Sequence, residues 1–201
     1  TIVKPENEKK GTNILYELEK KIIEILLLYG NNVEDFEDLI LKEDENGKLV
    51  LSPINRQAKV FEKIYMDLHE DEMEFSNDNF RKIYYKIIEC YNENKEITAD
   101  KFLNTLPKEL EIEITNIMMN DEKYSLHDWE RNSIFPKSKN KTISQLVIET
   151  ILSLRCFLID QKVNEFKDKT LINKDNKSIL EDVVNYSNLK ILLSRKLNRA
   201  I

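Results

Sequence analysis

The chain has 201 residues, of which 41% are hydrophobic and 34% are charged, and its formal net charge is −6. Three glycines and four prolines are too few for the many tight turns of a β-sandwich or a β-barrel, so the composition predicts an all-α fold. No apolar run approaches the ~18 residues that cross a bilayer, and residues 1–12 lack the apolar stretch of a signal peptide. We therefore expect a soluble, cytoplasmic protein that does not contact a membrane.

The chain begins with a polar segment, residues 1–12, which we interpret as a disordered linker. Asn13 then caps a predicted helix over Ile14–Tyr29, in which apolar residues recur at helical spacing. Gly30 and Asn31 are typical of a helix C-terminus and end this first element.

An acidic and irregular stretch, residues 32–51, follows the first helix. Within it we predict a short helix near Val33–Leu41 and a turn at Glu45–Lys48. Ser52 then caps a second long helix, and Pro53 occupies its first turn, where the missing backbone N–H has no helical partner to lose.

Further helices are predicted before residue 120. Ser76–Asp78 cap one of them, Thr98 caps a short one, and Pro107 opens the next. Residues 120–140 break the helical pattern and include the single tryptophan, Trp129. This segment is too apolar for a free linker, so we expect Trp129 to hold an extended strap against the helices.

Two capping-box sequences, beginning at Thr142 and Ser178, introduce the last two helices. These helices are predicted to end near Lys169 and near Arg199, and residues 170–177 between them have a usual length for a helix–helix connection. We therefore divide the chain into a linker at 1–12, a helical bundle at 13–140 and a long C-terminal antiparallel helical hairpin at 141–201.

The predicted hairpin is more apolar than a surface helix requires, because its apolar residues form stripes on more than one face. Either both faces are buried within this chain or one face meets a partner, and the sequence leaves both interpretations open. Residues 141–201 carry 11 Lys+Arg and 7 Asp+Glu, a net charge of +4, whereas residues 1–140 carry −10. Since the whole chain is acidic, we expect little or no direct nucleic-acid binding.

The sequence contains no motif of a reaction centre: it lacks a phosphate-binding glycine loop, a nucleophile elbow and a zinc-ligand spacing. Cys90 and Cys156 are predicted to be reduced core thiols. The tract His69–Phe75 is rich in acids, but consecutive acids on one helix do not converge on a metal, so we predict a solvated helix end. We assign no catalytic, cofactor-binding or metal-binding residue to this chain.

Five tracts resemble, in the same order, parts of the C-terminal domain of DnaG-type bacterial DNA primases, in particular Bacteroidetes-like members. Leu18–Asn31 is similar to the first helix of that domain, and Ser76–Ile87 is similar to the stretch that leads into the third helix. Tyr124–Trp129 resembles the strap of the family. Leu152–Asp160 and Leu193–Ile201 are similar to the long helix and to the end of the domain.

The resemblance implies a helicase-binding domain, which docks primase onto the N-terminal collar of the hexameric replicative helicase and couples RNA primer synthesis to fork unwinding. It implies no catalysis by this chain, whereas the full-length DNA primase is a nucleotidyltransferase that uses zinc and magnesium in upstream domains. Residues 32–51 depart from the family pattern, as does the strap, where His127 stands in place of a common serine. Two alternatives stay open: the collar domain of the helicase itself, and an unrelated helical interaction or ligand-binding bundle, which a large polar cavity would favour.

The same resemblance places the docking element on the C-terminal hairpin. We expect Tyr186 to be an aromatic hot spot of the interface. Leucines of the last helix should be the buried anchors, and basic residues should form a rim that steers encounter. The anchors are Leu189, Leu192, Leu193 and Leu197, and the rim residues are Arg195, Lys196 and Arg199.

Overall fold

The computed structural model describes residues 13–43, 49–93, 102–124, 142–172 and 177–197. Within these ranges the chain is mostly helical, with six long helices and one pair of β-strands. The elements in chain order are α1 (Ile14–Tyr29), β1 (Val33–Glu43), β2 (Leu49–Lys59), α2 (Val60–Glu70), α3 (Asp78–Asn92), α4 (Lys108–Tyr124), α5 (Ile143–Ile172) and α6 (Lys177–Lys196). The prediction of a largely helical protein is confirmed, but the strand pair makes the fold not purely all-α.

The first predicted helix is confirmed, and its cap is formed as expected. Oδ1 of Asn13 accepts a hydrogen bond from the backbone N–H of Tyr16 at 3.3 Å. Gly30, which follows α1, is required for space, because an added Cβ would lie 1.9 Å from the hydroxyl oxygen of Tyr91. That hydroxyl donates a hydrogen bond of 2.7 Å to the carbonyl oxygen of Leu26, so α3 packs directly against the end of α1.

The structure corrects the interpretation of residues 32–59. The stretch Val33–Leu41, predicted to contain a short helix, belongs to strand β1. Ser52 and Pro53, predicted to begin a long helix, lie in strand β2. The two strands pair antiparallel along their whole length. The predicted turn at Glu45–Lys48 lies outside the described residues.

The physical reason for the strand is a period of two residues at the start of β1. Phe36 is fully buried, whereas its neighbours Asp35 and Glu37 are exposed, as expected for side chains that alternate across a sheet. Pro53 is tolerated because both strands of a two-stranded sheet are edge strands, on which a missing N–H donor is acceptable. Helix α2 consequently begins only at Val60.

The cap of α3 is also confirmed. Oδ1 of Asn77 accepts hydrogen bonds from the backbone N–H groups of Asn79 and Phe80, at 2.9 and 3.1 Å. The buried carboxylate of Glu19, on α1, accepts two more from the N–H groups of Ser76 and Asn77. The start of α3 is therefore anchored to α1 by a charged acceptor.

The helix predicted after Pro107 is confirmed as α4, which buries one apolar face: Leu110, Ile114 and Ile117. Thr98, the predicted cap of the short preceding helix, lies outside the described residues. The same holds for residues 125–141, which include Trp129, so the predicted strap is not described.

The capping box at the start of α5 is confirmed. The N–H of Gln145 donates to Oγ1 of Thr142 at 3.3 Å, and the N–H of Thr142 donates to Oε1 of Gln145 at 3.4 Å. Helix α6 begins at Lys177, so Ser178 lies inside its first turn rather than before it. None of the helices within the described ranges combines the length and the apolar character that a membrane crossing requires.

Buried apolar side chains form two clusters, and α5 contributes to both. The main core joins α1–α4 and β1 to the N-terminal half of α5, and its largest fully buried members include Ile22, Leu26, Phe36, Phe80, Ile83 and Ile151. The second cluster lies between α5 and α6 and consists of Leu152, Cys156, Ile159, Val163 and Leu193. Cys90 and Cys156 are buried free thiols, as predicted.

Helix α6 lies along α5 between Leu152 and Phe166. Nζ of Lys190 is 2.7 Å from Oδ1 of Asp160, and Sγ of Cys156 is 3.8 Å from Oγ of Ser194. Later residues of one helix thus meet earlier residues of the other. The main core extends past residue 141 into α5, and α6 packs on the part of α5 that the main core leaves uncovered.

Candidate functional site

An open groove of about 740 Å³ lies between α2, α5 and α6, and Glu37 of β1 also lines it. Both α2 and α6 pack against α5, so the groove runs between them along α5. Its apolar floor is shared by the main core and the second cluster: Ile148, Ile151, Leu152, Ile159, Leu189 and Leu193. The groove is of a size that can bind a ligand, and its open form suits a segment of a partner protein.

A network of four charged side chains in the lining of this groove joins α2 to α5. Nζ of Lys63 is 2.7 Å from the carboxylate of Asp67, which is only 6% exposed. Nη2 of Arg155 is 3.2 Å from Oδ1 of Asp67, and Nε of Arg155 donates to Asp71. Burial opposes the charge of Arg155, but the carboxylates of Asp67 and Asp71 outweigh it and raise the pKa of the guanidinium. Arg155 is therefore a fixed cation in the wall of the groove.

The turn that ends α2 forms a wall of exposed carboxylates, which we call the acidic wall: Glu70, Asp71, Glu72 and Glu74. The N–H of Glu72 donates to the carbonyl of His69, and the N–H of Met73 donates to the carbonyl of Leu68. This pair of bonds is a Schellman motif, and it places Glu72 at φ 51°, where glycine is usual.

The acidic helix end predicted at His69–Phe75 is therefore solvent-exposed over most of its acidic residues. Within the described ranges, no three His, Cys, Asp or Glu side chains are grouped in a way that could hold a metal ion.

Four of the eight predicted partner-binding residues line the groove. Tyr186 is 37% exposed, and its ring centroid lies 5.8 Å from that of Phe166 on α5. Leu189 is half-buried against the second cluster, and Leu193 is a buried member of it. Nζ of Lys196 forms an ion pair with Oε1 of Glu37, which links the end of α6 to β1.

Three of the other four predicted residues do not line it, and the fourth is not described. Leu192 is half-buried, Leu197 packs against the second cluster, Arg195 is exposed, and Arg199 lies outside the described residues. The structure instead leaves Leu180 and Val184 of α6 57% and 56% exposed.

The sequence did not indicate that the acidic wall lines a groove, and it did not single out Arg155. A signal for Arg155 was present, because a single charge within the apolar run Leu152–Ile159 is rarely buried unless it is paired. The partner carboxylates could not be identified from sequence, because Asp67 and Asp71 are more than eighty residues away.

A family model described as "Domain of unknown function (DUF8430)" matches residues 5–201. No curated protein and no solved structure matches the chain. Because the family model covers nearly the whole sequence, the chain belongs to the DUF8430 family.

Proposed function

We propose that this chain is a protein-docking domain and that the groove between α2, α5 and α6 is its docking surface. The observation that carries the proposal is the groove itself, whose apolar floor combines residues of both buried clusters and in which Ile148 and Leu189 are only half-buried. A concave groove with an apolar floor and charged residues at its rim is a form in which proteins commonly bind a segment of a partner. Under this proposal α5 and α6 act together as a C-terminal helical hairpin that carries the partner.

The partner we propose is the N-terminal collar of the hexameric replicative helicase, so that the chain recruits primase to the replication fork. The support is the resemblance of five tracts to the C-terminal domain of bacterial primases. Two of these tracts involve helices that line the groove: Leu152–Asp160 lies in α5, and Leu193–Ile201 begins in α6. In this role the chain is cytoplasmic, has no catalytic activity or metal of its own, and acts by positioning the catalytic domains of the primase.

The test is to titrate the purified chain with the replicative helicase of the same organism and to measure the affinity by isothermal titration calorimetry. Tyr186→Ala removes the exposed aromatic ring from the groove, and we expect it to weaken binding by tenfold or more, as for an interface hot spot. The matched control is Tyr85→Ala, which removes a tyrosine that is 57% exposed on α3 and does not line the groove.

Absence of helicase binding by the wild-type chain at micromolar concentration would refute the proposed partner. Equal weakening by the two tyrosine substitutions would refute the groove as the docking surface.

A further inference from the structure

We infer that the groove binds a basic amphipathic helix of the partner, with the apolar face of that helix on the groove floor and its Lys or Arg side chains against the acidic wall. This inference deepens the proposed docking function and rests on it. It adds the chemistry of the occupant and the orientation of its charged side.

The lining of the groove is negatively charged, because it has seven acidic and four basic side chains and so a net charge of −3. Each basic side chain is already paired within the chain. Lys63 and Arg155 pair with the carboxylates of the network between α2 and α5. Lys162 pairs with Glu165, and Lys196 pairs with Glu37. The lining therefore carries more negative charge than its own basic side chains compensate.

The surplus is confined to one side. Glu70 and Glu72 have no ion-pair partner among the described residues, and Glu74 forms a 3.9 Å ion pair with Arg81, which does not line the groove. The opposite side, on α6, presents Tyr186, Leu189 and the already paired Lys196. An occupant is therefore complementary to the groove only when its positive charge lies along the α2 side.

The backbone of the acidic wall is also unusual at one position. Glu72 adopts a left-handed conformation at the position of a Schellman motif that glycine occupies most easily. A carboxylate there opposes the local backbone preference, so the chain carries a charged side chain at a position where glycine would cost less. Its carboxylate is exposed and lines the groove.

The elements that line the groove favour a helix as the occupant. Except for Glu37, the lining residues lie on helices or on the turn that follows α2. The N–H and C=O groups of helices are bonded within the helix, so they offer no sheet edge to which an extended peptide could add a strand. Recognition must use side chains, and a helix with apolar residues on one face is the form that fits an apolar groove.

The experiment uses the full chain and two fluorescein-labelled model helices of about 15 residues, a length that is marginally helical in water. Both have the same leucine face, and they differ only in having Lys or Glu on the polar face. We expect the Lys peptide to bind at ~50 mM salt with an anisotropy change that saturates, and the Glu peptide not to bind. Raising the salt to ~500 mM should weaken the Lys peptide severalfold, because exposed charges are screened.

Two double variants assign this binding to the acidic wall. Glu70→Gln with Glu72→Gln should weaken the Lys peptide about five- to tenfold, since two exposed charge contacts are lost. The matched control, Glu109→Gln with Glu111→Gln, removes two exposed carboxylates from α4, outside the groove, and should leave the affinity unchanged. Equal affinity for the two peptides, or equal weakening by the two double variants, would overturn the inference.

The same variants separate this inference from the proposed function. If the helicase binds the wild-type chain and the Glu70→Gln/Glu72→Gln variant equally well, and the Lys peptide does not bind, the inference is wrong and the docking function stands. If the Lys peptide binds as expected and the helicase does not, the helicase is the wrong partner and the inference stands.

Discussion

The main core and the second cluster are both apolar, yet the chain covers them to different degrees. In the main core, Ile22, Phe80 and Ile83 are completely buried, whereas every member of the second cluster keeps at least 4% of its surface exposed. Helix α6 also leaves Leu180 and Val184 more than half exposed. Among the described residues, α1–α4, β1 and the N-terminal part of α5 therefore share the more completely buried core, whereas α6 packs chiefly on α5 and leaves part of its apolar surface exposed.

The largest effect should come from the main core. Phe80→Ala should lower the free energy of unfolding by ~3–5 kcal/mol, because it removes a fully buried ring and leaves a cavity. Urea unfolding followed by far-UV circular dichroism measures this change. The exposed Tyr85→Ala should cost less than about 1 kcal/mol. If the two substitutions had similar costs, the bundle would not owe its stability to the main core.

The next effect should come from the ion network that connects α2 to α5. Arg155→Met should lower the free energy of unfolding by about 3 kcal/mol, because it leaves the buried Asp67 with Lys63 as its remaining ion-pair partner. This value is at the lower end for a broken buried pair, since the Arg155 side chain is 25% exposed. Arg195→Met, at an exposed arginine of α6, is the control and should be near neutral. If Arg155→Met left the free energy of unfolding unchanged, the ion network would not stabilise the packing of α2 against α5.

A smaller effect, and the sharpest test of the comparison, should come from the second cluster. Leu193→Ala should cost ~2 kcal/mol, because its surroundings are less completely packed than those of Phe80. The loss should be local, so backbone amides of α6 should exchange hydrogen faster while those of α1 keep their protection. If amide exchange became faster to the same extent in both helices, α6 and the bundle would open as one unit, and their stabilities would not differ.

The smallest effect should be a gain. Glu72→Gly places glycine at φ 51°. It removes the cost of a left-handed conformation, which is roughly 1–2 kcal/mol for a residue with a side chain. Since glycine also makes the unfolded chain more flexible, the net gain should be ~0.5 kcal/mol. Thermal unfolding should show a slightly higher Tm, while the basic model helix should bind less tightly. A lower Tm would mean that the Glu72 side chain stabilises the turn.

Elements defined by contacts within a few residues were predictable from sequence. Asn13, Asn77 and Thr142 were identified as caps, and each makes hydrogen bonds to backbone groups two or three residues further along the chain. The β-hairpin was not predicted. Its alternation is visible only around Phe36, because the consecutive apolar residues Leu39–Leu41 fit a helix as well as a strand. Ser52-Pro53 adds a helix-start signal that strand pairing overrides.

The sequence by itself determined the caps at Asn13, Asn77 and Thr142, the boundaries of α1 and α5 at their N-termini, and the abundance of apolar residues on α6, because local hydrogen bonds and periodicity encode these features. The caps predicted at Ser52 and Ser178 were wrong, because Ser52 pairs in β2 and α6 begins before Ser178. It also identified Tyr186, Leu189, Leu193 and Lys196 as residues of the last helix that could face a partner. Only the tertiary structure decided that they share a groove with the acidic end of α2. Arg155 meets Asp67 across 88 residues and Lys196 meets Glu37 across 159, and contacts between residues so distant in the chain depend on how the helices pack.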